Sequence, residues 1–184
     1  MSNRSGWMIG GAGLAALALP ALVVATNYQS VAQAQCVLFP LAGKFETVPV
    51  ALTAAQRNAL TALAGPQPQH GSLQVFRVTD GQSRFSGYFF VDEVIGRQDL
   101  ITYAVGVDAA GKLSSVEILS YRESHGGEIR NPKWRAQFAG RGDLAQLRFQ
   151  TDIKNIAGAT LSSQHVTQGV RWLLALWQTA LKHA

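Results

Sequence analysis

Between residues 72 and 121 the chain carries four runs rich in Val, Ile, Phe and Tyr (72–79, 84–96, 100–108 and 112–121), with three or four residues between successive runs. A parallel crossover needs a dozen residues or more, so neighbouring runs can pair only as antiparallel hairpins. Asp80-Gly81 and Ala109-Ala110-Gly111 fall in the gaps as turn signals. The expectation is a four-stranded antiparallel meander.

Such a sheet needs a cover. The last stretch supplies one: Val166, Val170, Leu173, Leu174, Trp177 and Leu181 recur at helical spacing, with Ser162 or Ser163 as cap. A shorter helix is expected after Thr53, stopped by Gly65-Pro66. Between sheet and final helix lies an irregular segment punctuated by Gly126, Gly127, Gly140 and Gly142, with a helical turn or two expected over 132–138. A loop of that length in a compact domain is functional or held by a ligand. The fold class expected is α+β: an antiparallel sheet packed by a long C-terminal helix, with one N-terminal transmembrane or signal helix.

That N-terminal helix is expected from residues 8–26, which contain no charge and approach the roughly 20 residues that span a hydrocarbon core. Both a signal anchor and a cleaved signal with Ala32–Ala34 as processing site fit. Arg4 precedes the run and the first charge after it is Lys44, so the remainder belongs outside the cytoplasm on either reading. The expected division is 1–26 signal anchor or signal peptide, 27–51 polar tether and 52–184 globular domain. The single cysteine, Cys36, allows no intrachain disulfide, and no Cys/His cluster is present to hold a metal.

With 47% hydrophobic and 15% charged residues, disorder is excluded as the main state. The formal charge of +5 favours anionic partners without choosing one. Nucleic acid is not expected, because the basic residues form no stripe interleaved with aromatics and the domain is exported.

The stretch Gly158-Ala159-Thr160-Leu161-Ser162-Ser163 puts small residues and a hydroxyl at the mouth of the final helix. On spacing it reads first as a tight strand-to-helix connection; a phosphate site is a second reading, and a nucleophile (Thr160 or Ser163, with His165 or His125 as base and Glu123 as orienter) is a third that lacks the GxSxG elbow. A helix start offers unpaired N–H groups and a favourable dipole to an anion, here from Leu161 to Ser163.

Residues 152–170, reading DIKNIAGATLSSQHVTQGV, resemble the flavinylation motif of the FMN-binding domain family, which includes flavin subunits of the Rnf complex and of the sodium-translocating NADH:quinone oxidoreductase. Residues 121–129, YRESHGGEI, are similar to the family's Glu-Thr-x-Gly loop, and Trp134 and Phe138 to a Trp-x-x-x-Phe segment after it. Two positions depart from the pattern: Ala157 stands where serine is usual, and Lys154 nearer the usual aspartate, with Asp152 two residues earlier.

The resemblance implies an electron carrier rather than a stand-alone enzyme, with FMN on Thr160 through a phosphoester installed by a magnesium-dependent flavin transferase from FAD. It implies cofactor contacts at Gly158, Ala159, Leu161, Ser162, Ser163, Glu123, Ser124, Gly126 and Trp134, the last as a wall of the ring site or as core. A membrane reductase or other redox subunit would be the partner, at the cytoplasmic membrane with the domain on the periplasmic or extracytoplasmic side. An excess of basic residues between 122 and 154 would stabilise an anionic reduced flavin. The alternative is an anchored, non-catalytic assembly or interaction subunit with noncovalent flavin or none.

Overall fold

The four runs expected as strands all pair, and two further strands join them. The structure, a computed structural model, describes residues 26–66, 68, 71–123 and 126–182. Its strands are β1 (Thr26–Asn27), β2 (Ala42–Thr47), β3 (Gln74–Asp80), β4 (Phe85–Ile95), β5 (Leu100–Asp108) and β6 (Leu113–Tyr121). They form one antiparallel sheet in the order β1-β6-β5-β4-β3-β2, so β2 to β6 are a meander of sequence neighbours.

The turns explain the register. Asp80 accepts from the N–H groups of Gln82 and Arg84 at 2.8 and 2.9 Å, and Asp108 accepts from those of Ala110 and Lys112, both at 2.9 Å. Each aspartate thus ties down its own hairpin by the same i+2, i+4 pattern. The β4–β5 loop is held differently, by Glu123 from beyond β6.

Among the described residues four α-helices accompany the sheet: α1 (Val31–Leu38), α2 (Ala54–Ala64), α3 (Pro132–Arg135) and α4 (Thr160–Leu176), the last continuing through a π turn at Trp177–Leu181. On one face Tyr88, Phe90, Tyr103 and Val105 pack with Val166, Val170, Leu173 and Leu174 of α4. On the other, Phe89, Val91 and Ala104 pack with Ala34 and Leu38 of α1. Coverage of both faces explains why Tyr88 to Val91 are apolar without alternation and all buried.

Residues 27–51, expected as a tether, instead carry α1 and β2. Ser30 caps α1, accepting from Gln33 N–H while the Gln33 side chain takes the Ser30 N–H. This Ser-x-x-Gln box starts a helix within a polar-looking stretch. β2 is an edge strand bearing the exposed Lys44–Glu46 ion pair, with Phe45 turned to the α1-side core, a pattern that protects an edge but hides it from a search for apolar runs. No helix among the described residues is long and apolar enough to cross a membrane; the expected anchor at 8–26 lies, but for Thr26, outside them.

Candidate functional site

Thr160 is the first residue of α4, and its N-cap is Ala159, which has no side chain able to cap. The Ser163 N–H bonds Ala159 O at 2.9 Å, whereas the N–H groups of Thr160, Leu161 and Ser162 have no hydrogen-bond partner among the described residues. The free donors are therefore residues 160–162, one position earlier than the sequence suggests.

Ser162 and Ser163 do not cap the helix. Both are buried within its first turn: Ser163 Oγ donates back to the carbonyls of Ala159 and Thr160 at 2.9 and 3.0 Å, and Ser162 Oγ lies 3.1 Å from the Tyr121 hydroxyl. The Ser163 hydroxyl proton is used internally and is not offered to an anion. Burial raises the Tyr121 hydroxyl pKa, and the Ser162 contact opposes that rise.

The loop into α4 is held from several sides. Gly158 adopts φ +83 with open space around it, which suits glycine. Ala159 is buried against Gly126 (φ +91), where an added Cβ would sit 2.7 Å from Ala159 Cβ and 2.5 Å from the Tyr121 hydroxyl. The two sequence motifs thus meet through Gly126 and Ala159.

Further back, Trp134 Nε1 donates to Lys154 O, and Gln137 Oε1 accepts the Lys154 N–H, each at 2.8 Å. Trp134 is buried edge-on to Phe138, centroids 5.2 Å apart. Its observed part is to fasten the 148–158 loop, and it is not among the residues lining the cavity at Thr160. Asp152 closes the same loop with Arg148 at 2.8 Å, and that bond holds its carboxyl below the usual range.

Arg97, Gln98, Glu123 and residues 158–162 line a cavity of about 600 Å³, within the 300–1,000 Å³ typical of ligand sites. Glu123 Oε1 accepts from Gln98 N–H at 2.6 Å and Asp99 N–H at 3.0 Å, so it builds the wall while remaining beside the cavity. Thr160 is exposed; its hydroxyl accepts from Asn155 Nδ2 at a long 3.4 Å.

Among the described residues the cation at this cavity is Arg97, from the β4–β5 loop. None of the basic residues between 122 and 154 lines it. Arg130 stacks over Tyr28, Arg135 pairs with Glu117, Arg141 bonds the carbonyls of Gln137, Gln146 and Asp152, and Arg148 holds Asp152. These four are engaged within the fold, and the exposed Arg122, Lys133 and Lys154 also stand outside the cavity lining. Arg97, Gln98 and Asn155 went unnoticed in sequence because charged and amide residues are ordinary at turns. Gly96 was the available signal, since an added Cβ there would lie 2.6 Å from Glu123 Oε1.

Ser124 and His125 lie outside the described residues. His165 Nδ1 lies 2.6 Å from Ile95 O and 3.1 Å from Gly96 O, and His165 is not hydrogen-bonded to Thr160 or Ser163. Among the described residues, no base engages either hydroxyl, so the nucleophile arrangement is not assembled. The uncapped N–H groups, the open hydroxyl and the adjacent Arg97 suit a phosphate-bearing ligand.

Sequence comparison agrees with this geometry. Residues 96–175, from the β4–β5 loop to the last turn of α4, match the family model described as FMN-binding domain. No curated protein matches the chain.

Proposed function

Residues 96–175 belong to the FMN-binding domain family, and from that premise we propose that the protein is an electron-transfer flavoprotein holding FMN by a phosphoester to Thr160. The observation that carries the reading is Thr160 itself: an exposed hydroxyl beside three unpartnered N–H groups, on a cavity of ligand size. A phosphate there would be stabilised by the helix dipole by about 0.3–1 kcal/mol.

Attachment would be the work of a magnesium-dependent transferase acting on FAD. The Thr160 Oγ1–phosphorus bond forms as the phosphoanhydride bond breaks; AMP leaves, and the hydroxyl proton passes to the transferase. Gly158 leaves the approach open, and Asn155 is placed to orient the hydroxyl. Bound FMN supplies reversible one- and two-electron chemistry. Glu123 keeps the β4–β5 loop in place as the cavity wall, and the Gly126–Ala159 contact fixes the start of α4.

In the same proposal the apolar run at 8–26 anchors the protein in the cytoplasmic membrane. The domain then faces the extracytoplasmic side, exchanging electrons with a membrane reductase or other redox subunit. A covalent tether suits that location, where a lost flavin is not readily replaced.

The test is intact mass of the protein purified from its own membranes, beside Thr160→Ala, with in-gel flavin fluorescence after denaturation. An FMN-sized increment that survives denaturation and disappears in the variant supports the tether. An unmodified mass with no fluorescence overturns it and favours noncovalent FMN or an assembly subunit.

A further inference from the structure

A second cavity, of about 330 Å³, adjoins the one at Thr160 and shares Arg97 and Leu161 with it. Val94, Ile95 and Leu161 give it apolar walls, and Arg97, His165 and Gln168 are its charged and polar side chains. Leu161, His165 and Gln168 stand at i, i+4 and i+7, one stripe of α4 facing the β4–β5 loop. His165 follows Thr160 by five residues, or about 7.5 Å along the helix axis.

The hydrogen-bonding state of these groups is specific. A backbone carbonyl only accepts, so the 2.6 Å contact to Ile95 O places a proton on His165 Nδ1. In neutral imidazole Nε2 is then an acceptor, and it has no partner among the described residues. The Arg97 guanidinium and the Gln168 amide are exposed and likewise without a partner there. The cavity therefore offers a donor (Arg97), an oriented acceptor (His165) and an amide that does either (Gln168), between apolar walls.

A flat heteroaromatic edge reading carbonyl, N–H, carbonyl answers that set, and the pyrimidine edge of an isoalloxazine is such an edge. We infer that the second cavity is the ring subsite: His165 Nε2 accepts the ring N3–H, while Arg97 and Gln168 donate to the flanking carbonyls. This rests on the flavin reading above but not on the covalent bond. It assigns flavin recognition to the helix stripe and the β4–β5 loop, and leaves the phosphate to the start of α4.

The test uses the full chain carrying Thr160→Ala, which removes the attachment point, titrated at pH 8 with riboflavin and with N3-methylriboflavin by fluorescence quenching. Methylation should weaken binding about five- to tenfold, the worth of one hydrogen bond, and adding His165→Leu should erase the difference between the two ligands. Because His165 also holds the β4–β5 loop, Gln168→Leu serves as a second variant: exposed and unbonded, it should weaken both ligands about fivefold without altering their ratio. Equal affinities for the two ligands in the parent protein, unchanged affinity in Gln168→Leu, or no riboflavin binding would each overturn the subsite. An FMN-sized mass increment on Thr160 would survive those results, so the two readings fail separately.

Discussion

α1 and α2 begin alike, and α4 begins differently. Ser30 and Thr53 each accept from the N–H of the glutamine three residues on, and each glutamine returns the bond to the cap's own N–H. α4 starts at Ala159 with no cap and three idle donors. A side-chain cap contributes about 1 kcal/mol, and the helices differ in how far they need it. Among buried residues α1 has Ala34 and Leu38, and α2 has Leu60 alone. α4 buries Val166, Val170, Leu173 and Leu174 completely, each worth about 1.5–3 kcal/mol. A helix held by its flank can leave its N-terminus free for a ligand; one held weakly cannot.

The strongest way to break that contrast is Gly126→Ala. Gly126 sits at φ +91, and the new methyl would meet both Ala159 and the Tyr121 hydroxyl. Backbone strain and overpacking together should cost about 2–4 kcal/mol, read as a lower urea midpoint, with flavin content falling too. A fully stable, fully loaded variant would show that the start of α4 does not depend on this contact. Thr53→Ala comes next, at about 1 kcal/mol, because α2 loses its cap and has little burial to fall back on.

Much of this arrangement was legible beforehand. The strands from 74 to 121 follow from apolar runs too close together for crossovers, and the buried face of α4 from its spacing. The meeting of the two glycine-containing loops was not readable from either loop, since residues 126 and 159 come together only in the folded chain, beside the contact of Tyr121 at the end of β6 with Ser162 of α4. Trp134 reads in sequence as a ring wall or as core, and only the fold decides between them: it is buried, with its indole N–H committed to Lys154 O. The Ser30 box opens a helix that no long apolar run marks, so the polar stretch around it reads as a tether. Arg97 was invisible for a physical reason: a hairpin tip is where a solvated arginine normally sits.

A smaller effect tests the buttress beneath the bare helix start. Burial raises the Tyr121 pKa, and raises that of Tyr103 well above its ordinary value, with Asp92 adding to the second. For a phenol whose folded pKa is raised, the stabilising share is complete below the unfolded value of about 10 and is lost as pH climbs past it. Thermal midpoints should therefore decline in alkali. Tyr121→Phe should flatten that decline slightly, and Tyr103→Phe more. A slope untouched in Tyr121→Phe would mean that its hydroxyl titrates as freely in the folded chain as in the unfolded one.

The smallest expected effect on stability is that of Thr160→Ala, and it completes the comparison with Thr53. Both are threonines at helix starts, but Thr53 Oγ1 accepts a backbone N–H at 3.2 Å, whereas Thr160 Oγ1 has only the 3.4 Å approach of Asn155. Alanine also has the better helix propensity, by up to about 0.7 kcal/mol. The unfolding free energy should change by less than about 0.5 kcal/mol, in either direction, while the covalent flavin proposed for Thr160 should be lost altogether. A loss near 1 kcal/mol, matching Thr53→Ala, would mean that Thr160 works as a cap after all. The idle N–H groups would then be serving the helix, and the case for an anion site at its start would fall with them.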